Sequence, residues 1–334
     1  MFRKFLFLTQ ILKYLTLIKI FNFIIGYKSY LFSRKKILFG NLFIPWFISV
    51  EPSNFCQLEC PECPVGINQR KKGTLFEETL FHKTIDDIKN KVIHIIFYFQ
   101  GEPLLNRKLP AMIKYAHDAG IFTSTSTNGQ ALNSERAKEL VLSGLDKLIF
   151  SIDGTTQEVY EKYRKGGSLE RVKNAVLHIN HWKKELKSTT PFVEIQFIVF
   201  GTNQHQMNEM KQLAKTLNAD RLAFKSAQIY DFENGSELIT SISKYSRYKK
   251  TESGKYEIKN KLHNHCQRLW SGAVINVNGD ILPCCFDKNA DHSFGNLNEK
   301  SFKSIINGEN STSFRQSILT NRKQHEICRN CTEK

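Results

Sequence analysis

Six strand-like runs alternating with helix-like stretches, followed by a cysteine-rich tail, predict an α/β fold with a parallel sheet and a small C-terminal domain. Three observations carry this expectation. The runs are apolar and rich in β-branched residues, as strands buried on both faces are. The stretches between them reach ten residues or more, enough for the crossover helices of βαβ units. The 334 residues are 41% hydrophobic and 24% charged, which fits a folded globular chain and excludes a disordered or low-complexity one.

The first element is a basic arm, 1–44. The formal net charge is +16, and eight of the basic residues (Arg3, Lys4, Lys13, Lys19, Lys28, Arg34, Lys35 and Lys36) fall in the first fifty positions, which hold no acidic residue. The remainder carries 40 basic and 32 acidic groups, so the charge marks an arm and no nucleic-acid partner is expected. The same Lys-, Ile-, Asn- and Phe-rich usage is what an AT-rich genome produces. Lys13 and Lys19 cut the apolar stretch 5–27 into pieces of eight, five and eight residues. Each is far below the roughly 18 needed to span a bilayer. The later run 37–50 contains Pro45, and no small-residue cleavage site marks a signal peptide. Gln10, Lys13, Thr16 and Lys19 recur every three residues, which predicts an amphipathic helix. Such a helix lies on an anionic membrane surface or packs on its own domain or a partner, and both readings stand.

Strands are then expected at 47–51, 92–98, 121–126, 147–152, 193–199 and 221–226, with helices at 77–89, 109–119, 134–143, 169–184 and 205–217. Gly120 and Gly144 stand where a left-handed helix cap is wanted. Six units are too few to close an eight-stranded barrel, leaving an open partial barrel or a doubly wound sheet. Residues 228–265 lose the rhythm and read as a polar connector. The expected organisation is therefore arm 1–44, core 45–227, connector 228–265 and C-terminal domain 266–334.

Cysteine spacing carries the chemistry. Cys56, Cys60 and Cys63 form C-x3-C-x2-C directly after the first strand, and Cys266, Cys284, Cys285, Cys328 and Cys331 lie in the tail. Two separated thiol clusters read as metal sites in a reducing compartment rather than as disulfides. Three thiolates can hold three corners of a [4Fe–4S] cube and leave one iron open. A closed zinc site needs a fourth ligand, and the nearest candidate, His82, is nineteen residues on.

The segment EPSNFCQLECPEC at 51–63 resembles the cluster loop of the radical S-adenosylmethionine (SAM) superfamily, and further motifs follow in that superfamily's order. QGEPLLN at 100–106 is similar to the GGEP segment, with Gln100 in place of its first glycine; STNG at 126–129 and SIDG at 151–154 follow the third and fourth strands. The resemblance, over about 45–227, implies a partial (β/α)6 TIM-like barrel with a small C-terminal iron–sulfur domain. It implies a [4Fe–4S] cluster on Cys56, Cys60 and Cys63. It also implies that Gly101, Glu102 and Pro103 hold the methionine amino group of SAM. Asn128, Ser151 and Asp153 would be further cofactor contacts, Ser151 and Asp153 to its carboxylate and ribose, and 195–199 would meet adenine. Phe55 would shield the cube. Taken singly, Asn128–Gly129 and Asp153–Gly154 are ordinary turn dipeptides, and Glu102 before Pro103 is an ordinary loop start. At successive carboxyl-end loops they line one rim.

In the tail, Cys266, Cys284, Cys328 and Cys331 offer four thiolates for a closed cluster, with a hairpin turning at Asn278–Gly279. This resembles SPASM auxiliary-cluster domains, and the shortened single-cluster form called twitch more closely, because the chain stops three residues after Cys331. Cys284 is favoured over adjacent Cys285 as ligand by its spacing from Gly279. A zinc ribbon is the competing reading. Asp287 and His292 lie nearby without a role legible in the sequence.

The twitch resemblance implies a radical oxidoreductase, dehydrogenase-like, that abstracts hydrogen from a sugar- or cyclitol-like metabolite and passes an electron to one auxiliary [4Fe–4S] cluster. A peptide- or protein-modifying maturase is the alternative; no strand–turn–helix pattern in the first 45 residues suggests a leader-binding domain, which lowers it. A non-enzymatic metal-binding protein at a membrane is the third reading. The partners implied are a small-molecule or peptide substrate and a low-potential electron donor such as flavodoxin or ferredoxin. The expected location is cytoplasmic, with the arm open to the inner membrane face.

Overall fold

The computed structural model describes residues 11–69 and 71–332, so Arg3, Lys4 and Gln10 of the predicted arm lie outside the described residues. The elements begin with α1 (Leu17–Phe32), β1 (Phe47–Val50), α2 (Glu78–Ile88), β2 (His94–Phe97), α3 (Leu109–Asp118), β3 (Phe122–Thr127) and α4 (Ser134–Leu142). Then come β4 (Lys147–Ser151), α5 (Gln157–Tyr163), α6 (Leu169–Glu185), β5 (Phe192–Val199), α7 (Met207–Thr216) and β6 (Arg221–Ser226). The chain continues through β7 (Tyr248–Lys250), β8 (Tyr256–Ile258), α8 (Gln267–Ser271), β9 (Gly272–Ile275), β10 (Ile281–Leu282), α9 (Phe302–Ile306) and α10 (Glu309–Asn321).

Each strand and helix predicted for 47–226 has its counterpart, whereas the arm helix expected from Gln10, Lys13, Thr16 and Lys19 is interrupted at 13–16 and α1 starts only at Leu17, capped by Thr16. Side-chain caps set the helix starts: Asn133, Thr156 and Ser168 accept from the N–H groups of Arg136, Val159 and Arg171. Gly120 and Gly144 end α3 and α4 with φ of +75° and +76°. The sheet is mostly parallel, and among the described residues no strand pairing closes it into a barrel.

Two compact units divide the chain. The first comprises residues up to 54, 73–124, and 262 onward. In it β1 lies between β2 and β9, parallel to both, and β10 returns antiparallel on β9. The hairpin expected at Asn278–Gly279 is present, with Gly279 at φ +87°. Its first strand extends the parallel sheet, which the tail's composition did not reveal. Ile48, Ile95, Phe97, Phe122 and Ile275 are fully buried there.

The second unit comprises residues 55–72 and 125–261, with β4, β5 and β6 successively parallel. Its helix α5 and the β7–β8 hairpin were not legible in the sequence, being short and polar. The segment expected as a connector packs Ile229, Leu238 and Tyr248 with Leu58, Tyr163 and Phe200 in one apolar cluster.

Helix α1 packs within the first unit, and it is its polar stripe that turns inward. Asn22 donates to the Ile44 carbonyl (2.9 Å) and accepts from the Ile44 N–H (3.0 Å). A Cβ on Gly26 would stand 2.8 Å from both Phe43 and Trp46, so only glycine admits that approach. The indole of Trp270 donates to Ser29 Oγ at 3.0 Å. Lys19 is 2% exposed, reaches the Gly120 carbonyl, and has its pKa lowered to about 8 by desolvation. Between that value and the unfolded one, the unfolded chain binds the extra proton, so the Lys19 contribution to stability rises with pH. Urea midpoints of wild type relative to Lys19→Met should therefore increase from pH 8 to pH 10. An unchanged difference would show that Lys19 is solvated. Among the described residues no helix is long and apolar enough to cross a membrane.

Candidate cluster and cofactor site

In the second unit the loop after β1 carries Cys56, Cys60 and Cys63, none of them in a disulfide, packed on the apolar cluster around Leu58 and Tyr163. The loop is tightly wound. The Cys63 N–H donates to the Cys60 carbonyl at 3.1 Å, and Cys63 starts a short helical turn, Pro64–Ile67. A Cβ on Gly66 would lie 2.5 Å from the Cys60 carbonyl oxygen and 2.6 Å from its nitrogen. Gly66→Ala should thus displace the backbone of Cys60 and lower the iron bound at this loop. Iron assay and the sulfur-to-iron absorption band measure it, and full iron loading in this variant would refute the close-wound loop.

Polar groups converge on two of these thiols. Asn128, in the loop after β3, donates to Cys56 Sγ at 3.4 Å and accepts from Gln57 Nε2 at 3.1 Å. Arg164 lies with Nη1 3.9 Å from Cys60 Sγ, and its Nε donates to Asp153 Oδ2 at 2.6 Å. Asp153, after β4, has no exposed surface, and its other oxygen accepts from the Ile198 N–H at 2.7 Å. Burial raises the Asp153 pKa, against the pull of Arg164. Arg164 stays charged although desolvation opposes it, because Asp153 and Cys60 outweigh that effect. Burial raises the Cys60 pKa and Arg164 opposes this. Arg164 has no signal of its own in the sequence. Ser151 ends β4, half-buried, in register with Gln196.

In the first unit the loop after β2 holds Gly101, Glu102 and Pro103. Gly101 has φ +58°, and the buried Glu102 caps a turn by accepting from the Leu104 N–H at 3.1 Å. Gln100, the departure from the family motif, donates its N–H to Glu51 and its side-chain amide to the Lys288 carbonyl at 2.7 Å. Glu51 Oε2 accepts in turn from the Val277 N–H at 3.0 Å. The glutamine therefore ties this loop to the tail hairpin.

Also in the first unit, Cys266, Cys328 and Cys331 are buried, and burial raises the Cys284 pKa, with Cys285, Cys266 and Cys328 adding to the shift. Cys328 is pushed to about 11, chiefly by desolvation. Arg322, 1% exposed, places Nη2 3.5 Å from Cys331 Sγ and remains charged because the neighbouring thiols outweigh desolvation. Cys285 lies 3.5 Å from Arg268 Nη1, and Cys284 and Cys285 both line a cavity of about 80 Å³ with Ser49, Tyr98, Phe99 and Pro283. Asp287 is buried and accepts from the N–H groups of Asp291 and His292, so it shapes its own loop. His292 bonds Glu326. Among the described residues no three His, Cys, Asp or Glu side chains are placed to hold a single metal ion. The donor set, soft thiols in two groups each beside a guanidinium, fits anionic iron–sulfur cubes.

Comparison with known families decides the class. The model of the Radical SAM superfamily matches residues 50–193, and that of the SPASM iron-sulfur cluster-binding domain matches residues 266–332. The chain carries a radical SAM domain and a SPASM domain. It is thereby a radical SAM enzyme, a class that uses a [4Fe–4S] cluster and SAM, with auxiliary iron–sulfur binding in the SPASM domain. Among its relatives is the PqqA peptide cyclase of Bradyrhizobium diazoefficiens, 22% identical over 72% of this chain and 67% of that protein. Another is the tungsten-containing aldehyde ferredoxin oxidoreductase cofactor-modifying protein of Pyrococcus furiosus, 25% identical over 86% of this chain and 87% of that protein. Streptococcus suis SuiB bound to precursor peptide SuiA has a TM-score of 0.63 at 15% identity, covering 86% of this chain and 70% of that one. BtrN in complex with AdoMet and 2-DOIA has a TM-score of 0.52 at 18% identity, covering 87% of this chain and 94% of that one. These structural likenesses establish the fold alone.

Proposed function

We propose that this radical SAM/SPASM enzyme modifies a peptide or protein substrate. The observation that carries the reading is the similarity to PqqA peptide cyclases, which favours this alternative over the sugar- or cyclitol-like substrate and dehydrogenase role expected from the tail. The organisation proposed is a radical SAM core at 45–227 and an auxiliary-cluster domain at 266–334, joined by 228–265.

Cys56, Cys60 and Cys63 hold the SAM-binding cluster, with Asn128 and Arg164 donating to its thiolates and offsetting their charge. Bound there, the cluster would supply the electron for reductive cleavage of the SAM sulfonium, with methionine as the leaving group, and so the capacity to take a hydrogen atom from a substrate C–H bond. Glu102, with Gly101 and Pro103 fixing its loop, accepts from the methionine ammonium. Ser151 meets the cofactor carboxylate, and Asp153 contributes by holding Arg164. Cys266, Cys284, Cys328 and Cys331 hold the auxiliary cluster. Support for Cys284 comes from its electrostatic neighbours Cys266 and Cys328, whereas Cys285 lies beside Arg268. A low-potential flavodoxin or ferredoxin supplies the electron.

The test is transfer of label. Reconstituted enzyme with SAM and dithionite is offered deuterated peptides encoded beside its gene, and deuterated aminocyclitols in parallel. Deuterium in 5′-deoxyadenosine from a peptide, with a mass change in that peptide, is the expected result. Transfer from the cyclitol alone would overturn the assignment.

A further inference from the structure

Helix α1 is built inside out. The residues it buries are Lys19, Asn22, Gly26 and Ser29, whereas Leu17 is 85% exposed, Phe21 65% and Phe32 59%. A helix at a protein–water boundary does the reverse, placing its apolar stripe on the core. The turn that follows continues the exposed apolar surface, with Phe39 51% and Leu42 59% exposed. Exposed apolar surface of this kind marks a binding face.

Charge indicates what covers it. Lys28, Arg34, Lys35 and Lys36 are exposed on the same stretch, and the first fifty residues contain no carboxylate side chain. Beside the turn lies a cavity of about 360 Å³ lined by Ile37, Phe39, Asn41, Leu42, Thr312 and Arg315. Arg315 is 2% exposed, and its guanidinium donates to the neutral carbonyls of Leu269 and Ile306. A second copy of the chain would suit the apolar residues, but a two-fold contact sets the same cations against each other. An anionic bilayer satisfies both features, since acyl chains receive the apolar face while phosphates meet the cations.

We propose that the outward face of α1 and the turn 37–42 dock the protein on an anionic membrane surface, with the Arg315 cavity at the rim of that face. The helix lies in the interface; it does not span.

The experiment uses the full-length reconstituted protein and sedimentation with vesicles of phosphatidylcholine, with and without phosphatidylglycerol. Wild type should sediment with the anionic vesicles, less so as salt is raised. Phe21→Glu with Phe32→Glu, and separately Lys28→Glu with Lys35→Glu and Lys36→Glu, should each weaken binding by about tenfold or more. Both variants alter outward side chains, so circular dichroism and 5′-deoxyadenosine release should match wild type. Three results would overturn the proposal: wild type that ignores vesicles, equal binding to neutral ones, or a wild-type dimer that the Phe21→Glu, Phe32→Glu variant dissociates in ultracentrifugation.

Discussion

Alanine at Cys56, Cys60 and Cys63 together should abolish 5′-deoxyadenosine release and remove about half of the bound iron, given four irons per cube and about eight at full loading. The second unit holds no other cysteine, so no thiol within it can replace the three. The fold should survive. Only Cys60 is buried, and exchanging a small thiol for a methyl in the cluster around Leu58 removes little apolar contact. Single variants in the tail sharpen the result. Cys284→Ala should lower iron by the tail's share, whereas Cys285→Ala should leave it near wild type, because Cys266 and Cys328 neighbour Cys284 while Cys285 lies beside Arg268. Anaerobic iron analysis and Mössbauer spectra after reconstitution measure both. Zinc in place of iron at both sites, or undiminished nucleoside release in the triple variant, would sink the cluster assignment.

The βαβ series was legible because each strand is a short apolar run and each helix a long amphipathic one. The thiol groups were legible because spacing alone separates a cluster loop from a disulfide framework. Other features leave no trace in a one-dimensional pattern. The three-residue recurrence of Gln10, Lys13, Thr16 and Lys19 announces a helix, but it does not place the start of α1 at Leu17, and periodicity cannot say which face turns inward. That is decided by Asn22 pairing with both backbone groups of Ile44 and by Gly26 against Phe43. Residues 228–261 look like a connector because their apolar positions are sparse, yet Ile229, Leu238 and Tyr248 meet residues far away in sequence. Arg164, Arg268 and Arg322 are single residues in a basic chain. Only their approach to Cys60, Cys285 and Cys331 distinguishes them from surface cations. Gln100 was legible as a departure from a motif, but its partners Glu51 and Lys288 needed the fold.

Asp153→Ala should have the largest effect on stability of any single change outside the core. It strands the Arg164 guanidinium, 14% exposed beside Cys60 with its Nε 2.6 Å from Asp153 Oδ2, and frees the Ile198 N–H as well. Removing one partner of a buried pair costs about 3–5 kcal/mol, a large part of the roughly 5–15 kcal/mol that holds a domain folded. Much of that cost is the unpaired charge, so adding Arg164→Met to Asp153→Ala should recover part of it, which urea unfolding of wild type, the two single variants and the double measures as a coupling energy. Activity should respond differently. The double variant regains stability but loses the cation beside Cys60, so its cluster spectrum and SAM binding should stay impaired. A coupling near zero would mean that Asp153 and Arg164 act independently. Full recovery of SAM binding in the double variant would show that neither charge serves the cofactor, leaving the pair as a strut between the loops after β4 and α5.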